Sequence, residues 1–212
     1  MQVFVETGRV RVFACAVDWP GWARSGKTEE LALATLADYA PRYAPVAAAA
    51  GLRLPVRGTP KVVERIAGSG TTDFGAPGHV PALDRRATSA AQAARLADLV
   101  VASWAALDGI AASAPAALRK GPRGGGRDRD AVVQHVVDAE RSYARSIGVR
   151  HREMAFDDVA AVAAMRADIE RALRTPGRAR APEDKGWPAR YAARRIAWHV
   201  LDHAWEIEDK ST

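Results

Sequence analysis

The last stretch of the chain that reads as a helix, Tyr191 to Asp209, constrains the rest more than any other feature. Ala192, Ile196, His199, His203 and Ile207 recur there at steps of four, three, four and four. That spacing makes one continuous stripe on a helix of 3.6 residues per turn, the stripe that turns toward a core. Two histidines therefore share an apolar face. Residues four apart stand one above the other, about 5–6 Å between Cβ atoms, so both imidazoles can reach one metal ion.

A third histidine lies on a second stripe. Within Asp130 to Tyr143, the positions Val132, His135, Val136, Ala139 and Tyr143 form the inward face of another helix. A protonated imidazole on an apolar face is costly, and a neutral one needs a partner for each ring nitrogen. A metal ion supplies that partner. The competing reading is three core histidines bonded to carbonyl groups, because an HxxxH pair alone is a weak motif. The third inward histidine favours a divalent transition metal, zinc or nickel, held by His135, His199 and His203.

Three neutral histidines leave such an ion its full charge and an open position, the pattern of catalytic rather than structural sites. Water or a thiol bound there becomes more acidic. Glu206, three residues after His203, is the candidate catalytic group as general base, and it could also be a fourth ligand or an acceptor for a ligand imidazole. Asp138 and Asp202 each follow a ligand histidine by three residues and are candidates to orient an imidazole. Arg195, four before His199, is a candidate for a substrate carboxylate.

The segments Gln134-His-Val-Val-Asp-Ala-Glu140 and Ala197-Trp-His-Val-Leu-Asp-His203 resemble the DinB/YfiT-like superfamily, over roughly residues 86–209. The resemblance implies a four-helix bundle with a three-histidine metal site, and His135, His199 and His203 as its ligands. It leaves the substrate open. Two function classes remain: a metal-dependent enzyme, either a thiol S-transferase using a low-molecular-weight thiol or a hydrolase, and a binding or regulatory protein with a structural metal. The enzyme is favoured, because an all-histidine site without thiolate is atypical of structural zinc. An arginine- and alanine-rich, lysine-poor composition points to a GC-rich genome and so to mycothiol as the thiol.

Four helices are expected in that region. Ser89-Ala-Ala-Gln92 is a capping box opening the first, with Leu96, Leu99, Val100, Ser103, Leu107 and Ile110 on its stripe. The second runs from about Asp128 to Ile147 and closes at Gly148. The third begins at Asp157, carries Val159, Val162, Met165, Ile169 and Leu173, and stops at Thr175-Pro-Gly177. Pro188 opens the fourth. His135 lies near the start of the second helix, whereas His199 and His203 lie toward the end of the fourth. A common site thus requires these two helices to be antiparallel, an up-down-down-up order with residues 148–156 crossing the bundle.

The N-terminal part reads as a small α+β unit. Val3–Glu6 and Val10–Ala16 form a β-hairpin that Asp18-Trp-Pro-Gly-Trp22 ends. Thr28 caps a helix with Leu33, Leu36, Ala37 and Ala40 on its stripe, Pro41 stops or kinks it, and a second helical piece ends at Gly51. Lys61–Ala67 is a further strand. The run from Ala16 through Pro20-Gly21 and Gly26-Lys-Thr-Glu-Glu30 resembles HicB-like antitoxin domains over residues 2–50. The expected division is an α+β domain over residues 1–75, a linker over 76–86 and the bundle over 87–212. The Gly/Pro-rich run Gly68–Pro81 marks the connection, and its Asp73, Phe74 and His79 leave room for a lid.

The chain has 212 residues, 48% hydrophobic and 26% charged, which is ordinary for a globular protein with a real core. No apolar run is expected to reach the roughly 20 residues of a membrane span, and the charged N-terminus is unlike a signal peptide. A cytoplasmic location is expected. The single Cys15 excludes an internal disulfide and reads as a buried structural thiol. The net charge of +6 comes mainly from scattered arginines, and the one dense cluster, residues 119–129, has no aromatic residue for base stacking. That cluster reads as a solvated loop. The expected partner is a small-molecule substrate, with no membrane and no nucleic acid, and homodimer formation is left open.

Overall fold

The computed structural model describes residues 1–54, 60–121 and 125–211. A small N-terminal sheet is followed by mostly helices, a mixed α/β architecture. Of the arginine-rich stretch 119–129, residues 122–124 lie outside the described residues.

Strands β1 (Gln2–Thr7) and β2 (Val12–Ala16) pair antiparallel, Val3 opposite Ala16 and Thr7 opposite Val12. This is the expected hairpin, closed by the Gly8 N–H on the Arg11 carbonyl at 2.9 Å. Residues 18–22 follow the end of the hairpin but do not end the sheet. The chain returns as β3 (Ala23–Gly26), antiparallel to β2. Ala-Arg-Ser-Gly has no alternation of apolar and polar residues, so only its pairing partner reveals it as a strand. Gly21, at φ +91°, makes the return, and a Cβ there would lie 2.7 Å from Leu201 Cδ1.

Strand β4 (Lys61–Ala67) lies parallel to β1, giving the order β3-β2-β1-β4. Helices α1 (Glu29–Asp38) and α2 (Ala40–Ala49) fall in the connection that leads to this parallel neighbour. Thr28 caps α1 by accepting from the Leu31 N–H at 3.2 Å. Pro41 falls in the first turn of α2, where no N–H is missed. The buried face of α1 is Ala32 and Leu36, and Ala37, expected on that stripe, is exposed. The sheet is covered on both sides: Val3, Val5 and Ala14 pack with Trp22, Leu36 and Tyr43, while Phe4, Phe13 and Cys15 pack with Trp198. That is why β1 and β2 read as unbroken apolar runs. Cys15 is fully buried, and burial pushes its thiol far up, as a structural cysteine requires.

Residues 68–86 contain a short helix, α3 (Gly70–Phe74), and a 3₁₀ turn at Ala82–Arg85. Glu6, fully buried on β1, accepts from the Thr72 hydroxyl and from the N–H groups of Gly78 and His79 at 3.0 and 3.1 Å. Glu64 of β4 accepts from the N–H groups of Ala82 and Leu83. Asp73 accepts from Val10 N–H at 2.8 Å, and Phe74 points outward, 90% exposed.

Four long helices follow: α4 (Ala90–Ser113), α5 (Arg129–Arg145), α6 (Val159–Arg174) and α7 (Ala189–Lys210). The capping box at Ser89 and Gln92 is present in both directions. Asp158 caps α6, and Val162, Met165, Ile169 and Leu173 are its buried stripe. Val159, expected on that stripe, is the first residue of α6 and is 75% exposed. Helix α4 packs on α6 and α7, and α5 on α7. By length and composition α4 is apolar enough to cross a membrane, contrary to the expectation that no such run exists. Its apolar face, including Leu96, Leu99, Val100, Trp104 and Leu107, is instead spent on the core.

The sheet and the helices share packing. Leu99, Ala102, Leu201 and Trp205 join the cluster of Trp22, Leu36 and Tyr43. Buried Arg194 of α7 forms a two-bonded ion pair with buried Asp84, at 2.7 and 3.0 Å, and donates to the carbonyls of Ala16 and Val17.

Candidate metal centre

Helices α5 and α7 meet along Val132, Val136, Ile196 and Val200, all fully buried in one cluster. That contact brings His135 to the level of His199 and His203. Ring centroids lie 4.6 Å apart for His199 and His203, 4.9 Å for His135 and His203, and 5.1 Å for His135 and His199. One ring nitrogen from each lies within 4.8 Å of the others, so the cluster could hold a metal ion.

The electrostatics suit ligands. His199 is buried, and its Nδ1 has no hydrogen-bond partner among the described residues. Burial first, then the charges of His203, His135, Arg195 and Arg127, hold its pKa down to about 2. Burial and His203 lower that of His135 as well. These imidazoles are neutral at pH 7, with a lone pair available for an ion. A buried ring nitrogen without a partner is costly unless something meets it, and three imidazole nitrogens are a donor set that zinc and nickel accept. The residues therefore fit the group.

Glu206 pairs with the His203 imidazole. His203 Nδ1 lies 2.6 Å from Glu206 Oε2, and Lys210 Nζ donates to the other oxygen. The bond from His203 is the main reason that the Glu206 pKa falls to about 2. With Nδ1 engaged, Nε2 is the His203 nitrogen left for an ion.

Asp202 makes no hydrogen bond to a histidine among the described residues. Its carboxylate takes Arg24 of β3 at 2.7 Å, and that guanidinium is stacked 4.0 Å from the Tyr39 ring and 4.2 Å from Trp205. On a helix surface, a residue three places from a ligand can reach a neighbouring element as easily as the ligand. Asp138 makes no hydrogen bond to His135 among the described residues, although its charge favours the protonated form of that imidazole. Arg195 donates to the Pro77 carbonyl at 3.0 Å and lies over the rings of Trp198 and Tyr143, at 4.9 and 5.3 Å.

Three further residues shape the site. Tyr143, on the expected inward stripe but given no role there, sets its ring 5.6 Å from His199 and 5.3 Å from Trp187. Gln134, beside His135, donates to the Met154 carbonyl and accepts from the Phe156 N–H, fixing the connection between α5 and α6. Arg127, from the stretch read as a solvated loop, bears on both His135 and His199. No family model matches the chain, and neither a curated protein nor a solved structure is found to be similar to it.

Proposed function

We infer that the chain is a metal-dependent enzyme of DinB/YfiT-like type, in which His135, His199 and His203 hold zinc or nickel for a thiol S-transferase reaction. The observation that carries this reading is the buried, unpartnered Nδ1 of His199 between two other imidazoles. On this reading α4 to α7 are an up-down-down-up four-helix bundle. The packing of α4 on α6 and α7, of α5 on α7, and the pinning of residues 154 and 156 to Gln134 support that arrangement.

His135, His199 and His203 would hold a divalent ion through three neutral nitrogens, and such an ion would supply the charge that makes a bound thiol more acidic. Burial holds the His135 and His199 rings neutral, and Glu206 fixes the His203 ring through Nδ1. The apolar surroundings of His199, with Tyr143 and Trp198 against it, limit water access. A low-molecular-weight thiol, with mycothiol as first candidate, would give up its S–H proton to solvent, and its sulfur would displace a leaving group from an electrophilic carbon of a small substrate, so that one C–S bond forms as the bond to the leaving group breaks. The hydrolase reading differs only in that water takes the thiol's place. For residues 2–50 we keep the HicB-like reading, supported by the hairpin and the Thr28-capped helix.

The test incubates metal-loaded protein with mycothiol, bacillithiol or glutathione and a panel of electrophiles, beside His199→Ala. Metal-dependent conjugation that is lost in the variant supports the transferase. Ester or amide hydrolysis without thiol favours the hydrolase, and inactivity in both assays overturns the enzyme reading.

A further inference from the structure

The charge around the three imidazoles points to the kind of ligand the centre takes. Two arginines flank the cluster. Arg195 stands one helical turn before His199, with its guanidinium over the Tyr143 ring that abuts His199. Arg127 lies just before α5, and its charge bears on both His135 and His199. Neither has a carboxylate partner among the described residues: Arg195 is met only by the Pro77 carbonyl and two aromatic faces, and Arg127 is exposed. Many other arginines of this chain are matched with acids, among them Arg24, Arg42, Arg129, Arg166, Arg174 and Arg194.

The acids near the centre do not offset this charge. Glu206 is taken by His203 and Lys210, and Asp138 alone remains beside His135. A divalent ion on three neutral ligands would add two further positive charges. Guanidinium groups bind carboxylates through paired, charge-assisted hydrogen bonds, and a cleft of one sign concentrates ligands of the other.

We propose that the ligand of this centre is an anion, a small molecule whose carboxylate is held by Arg195 while its reacting atom lies at the three imidazoles, with the charge of Arg127 adding to the positive field there. This rests on the metal reading above and extends it to the ligand's charge. It gives the aromatic faces of Tyr143 and Trp198 a second role, since they hold the Arg195 guanidinium in place. It also assigns a role to Arg127, which the thiol reading does not use.

The experiment uses the full chain loaded with cobalt(II), whose visible absorption reports binding at the ion without any turnover. Mercaptosuccinate is the anionic probe, and monothioglycerol is a neutral thiol of similar size. The expected result is that mercaptosuccinate binds about tenfold or more tightly than monothioglycerol, as hydrogen bonds to charged groups allow. Raising salt to about 1 M should shrink that preference, since the Debye length falls to about 3 Å. Arg195→Gln should remove most of the preference while leaving monothioglycerol affinity in place. Arg127→Gln, a change at an exposed residue, should reduce the preference several-fold and keeps the test valid if Arg195→Gln disturbs the Pro77 segment. Equal affinity for the two thiols, or a preference unchanged in both variants, overturns the inference alone. Failure to take up cobalt overturns the metal reading and this inference with it.

Discussion

His203 Nδ1 lies 2.6 Å from Glu206 Oε2, one helical turn further along α7, and Lys210 holds the other carboxylate oxygen. The carboxylate fixes the ring's tautomer and leaves Nε2 for an ion. Removing the negative charge by Glu206→Gln should weaken metal affinity about 10- to 100-fold without abolishing it, the usual cost of losing such a partner. Competition with a chromophoric zinc chelator measures it, and an unchanged affinity would sink the role.

Metal content is the most direct test of the cluster. Protein purified without affinity-tag metal should carry about one divalent ion per chain, and His135→Ala should lose it. His151→Ala should keep it, because His151 pairs with Asp168 at 2.8 Å, away from the cluster. Elemental analysis of the three proteins decides, and equal content in His135→Ala and wild type counts against the site.

Metal-free protein should lose stability as the solution becomes acidic. The His199 pKa is held near 2 in the fold and returns to about 6.5 in the unfolded chain, so unfolding takes up a proton between those values. The sign is that of a depressed group: its contribution is complete above pH ~6.5 and is lost as pH falls toward the folded value. Urea midpoints measured on apo protein from pH 8 to 5 should fall on the acid side. A midpoint that rises below pH ~6.5 would contradict a neutral, buried His199.

Asp202 offers a contrast with Glu206, since both lie three residues after a histidine on α7. Asp202→Asn should leave metal affinity unchanged and cost about 1 to 2 kcal/mol of stability, because it weakens a partly buried, charge-assisted bond to Arg24. Chelator competition and denaturant titration on the same variant separate the two effects. A drop in metal affinity comparable to that of Glu206→Gln would show that the ion pair with Arg24 is not its main role.

Arg194→Met should cost about 3 to 5 kcal/mol, since it strands the buried carboxylate of Asp84. Arg194→Met combined with Asp84→Leu should recover much of that loss, because no unpaired charge remains. Because Leu99, Ala102, Leu201 and Trp205 share a core with the sheet, the loss should appear as one shift seen alike by near-UV and far-UV signals. Two separate transitions would mean that the sheet and the helices unfold independently.

Local sequence determined a large part of this protein. Helix α7 and its histidine stripe were legible because a period of 3.6 residues places positions 192, 196, 199, 203 and 207 on one face whatever surrounds them. The capping box at Ser89, the cap at Thr28 and the stop at Gly51 were legible for the same reason: each is satisfied within a few residues of chain. Tertiary structure decided the rest. Strand β3 exists because β2 offers it a ladder, and its own residues carry no alternation. Asp202 and Glu206 each follow a histidine by three residues; Glu206 meets His203 and Lys210 of its own helix, whereas Asp202 is taken by Arg24 of β3, a partner that only tertiary structure supplies. Periodicity reports which face a residue occupies, whereas the partner it finds there depends on contacts between residues as far apart as Arg24 and Asp202, which no local pattern encodes.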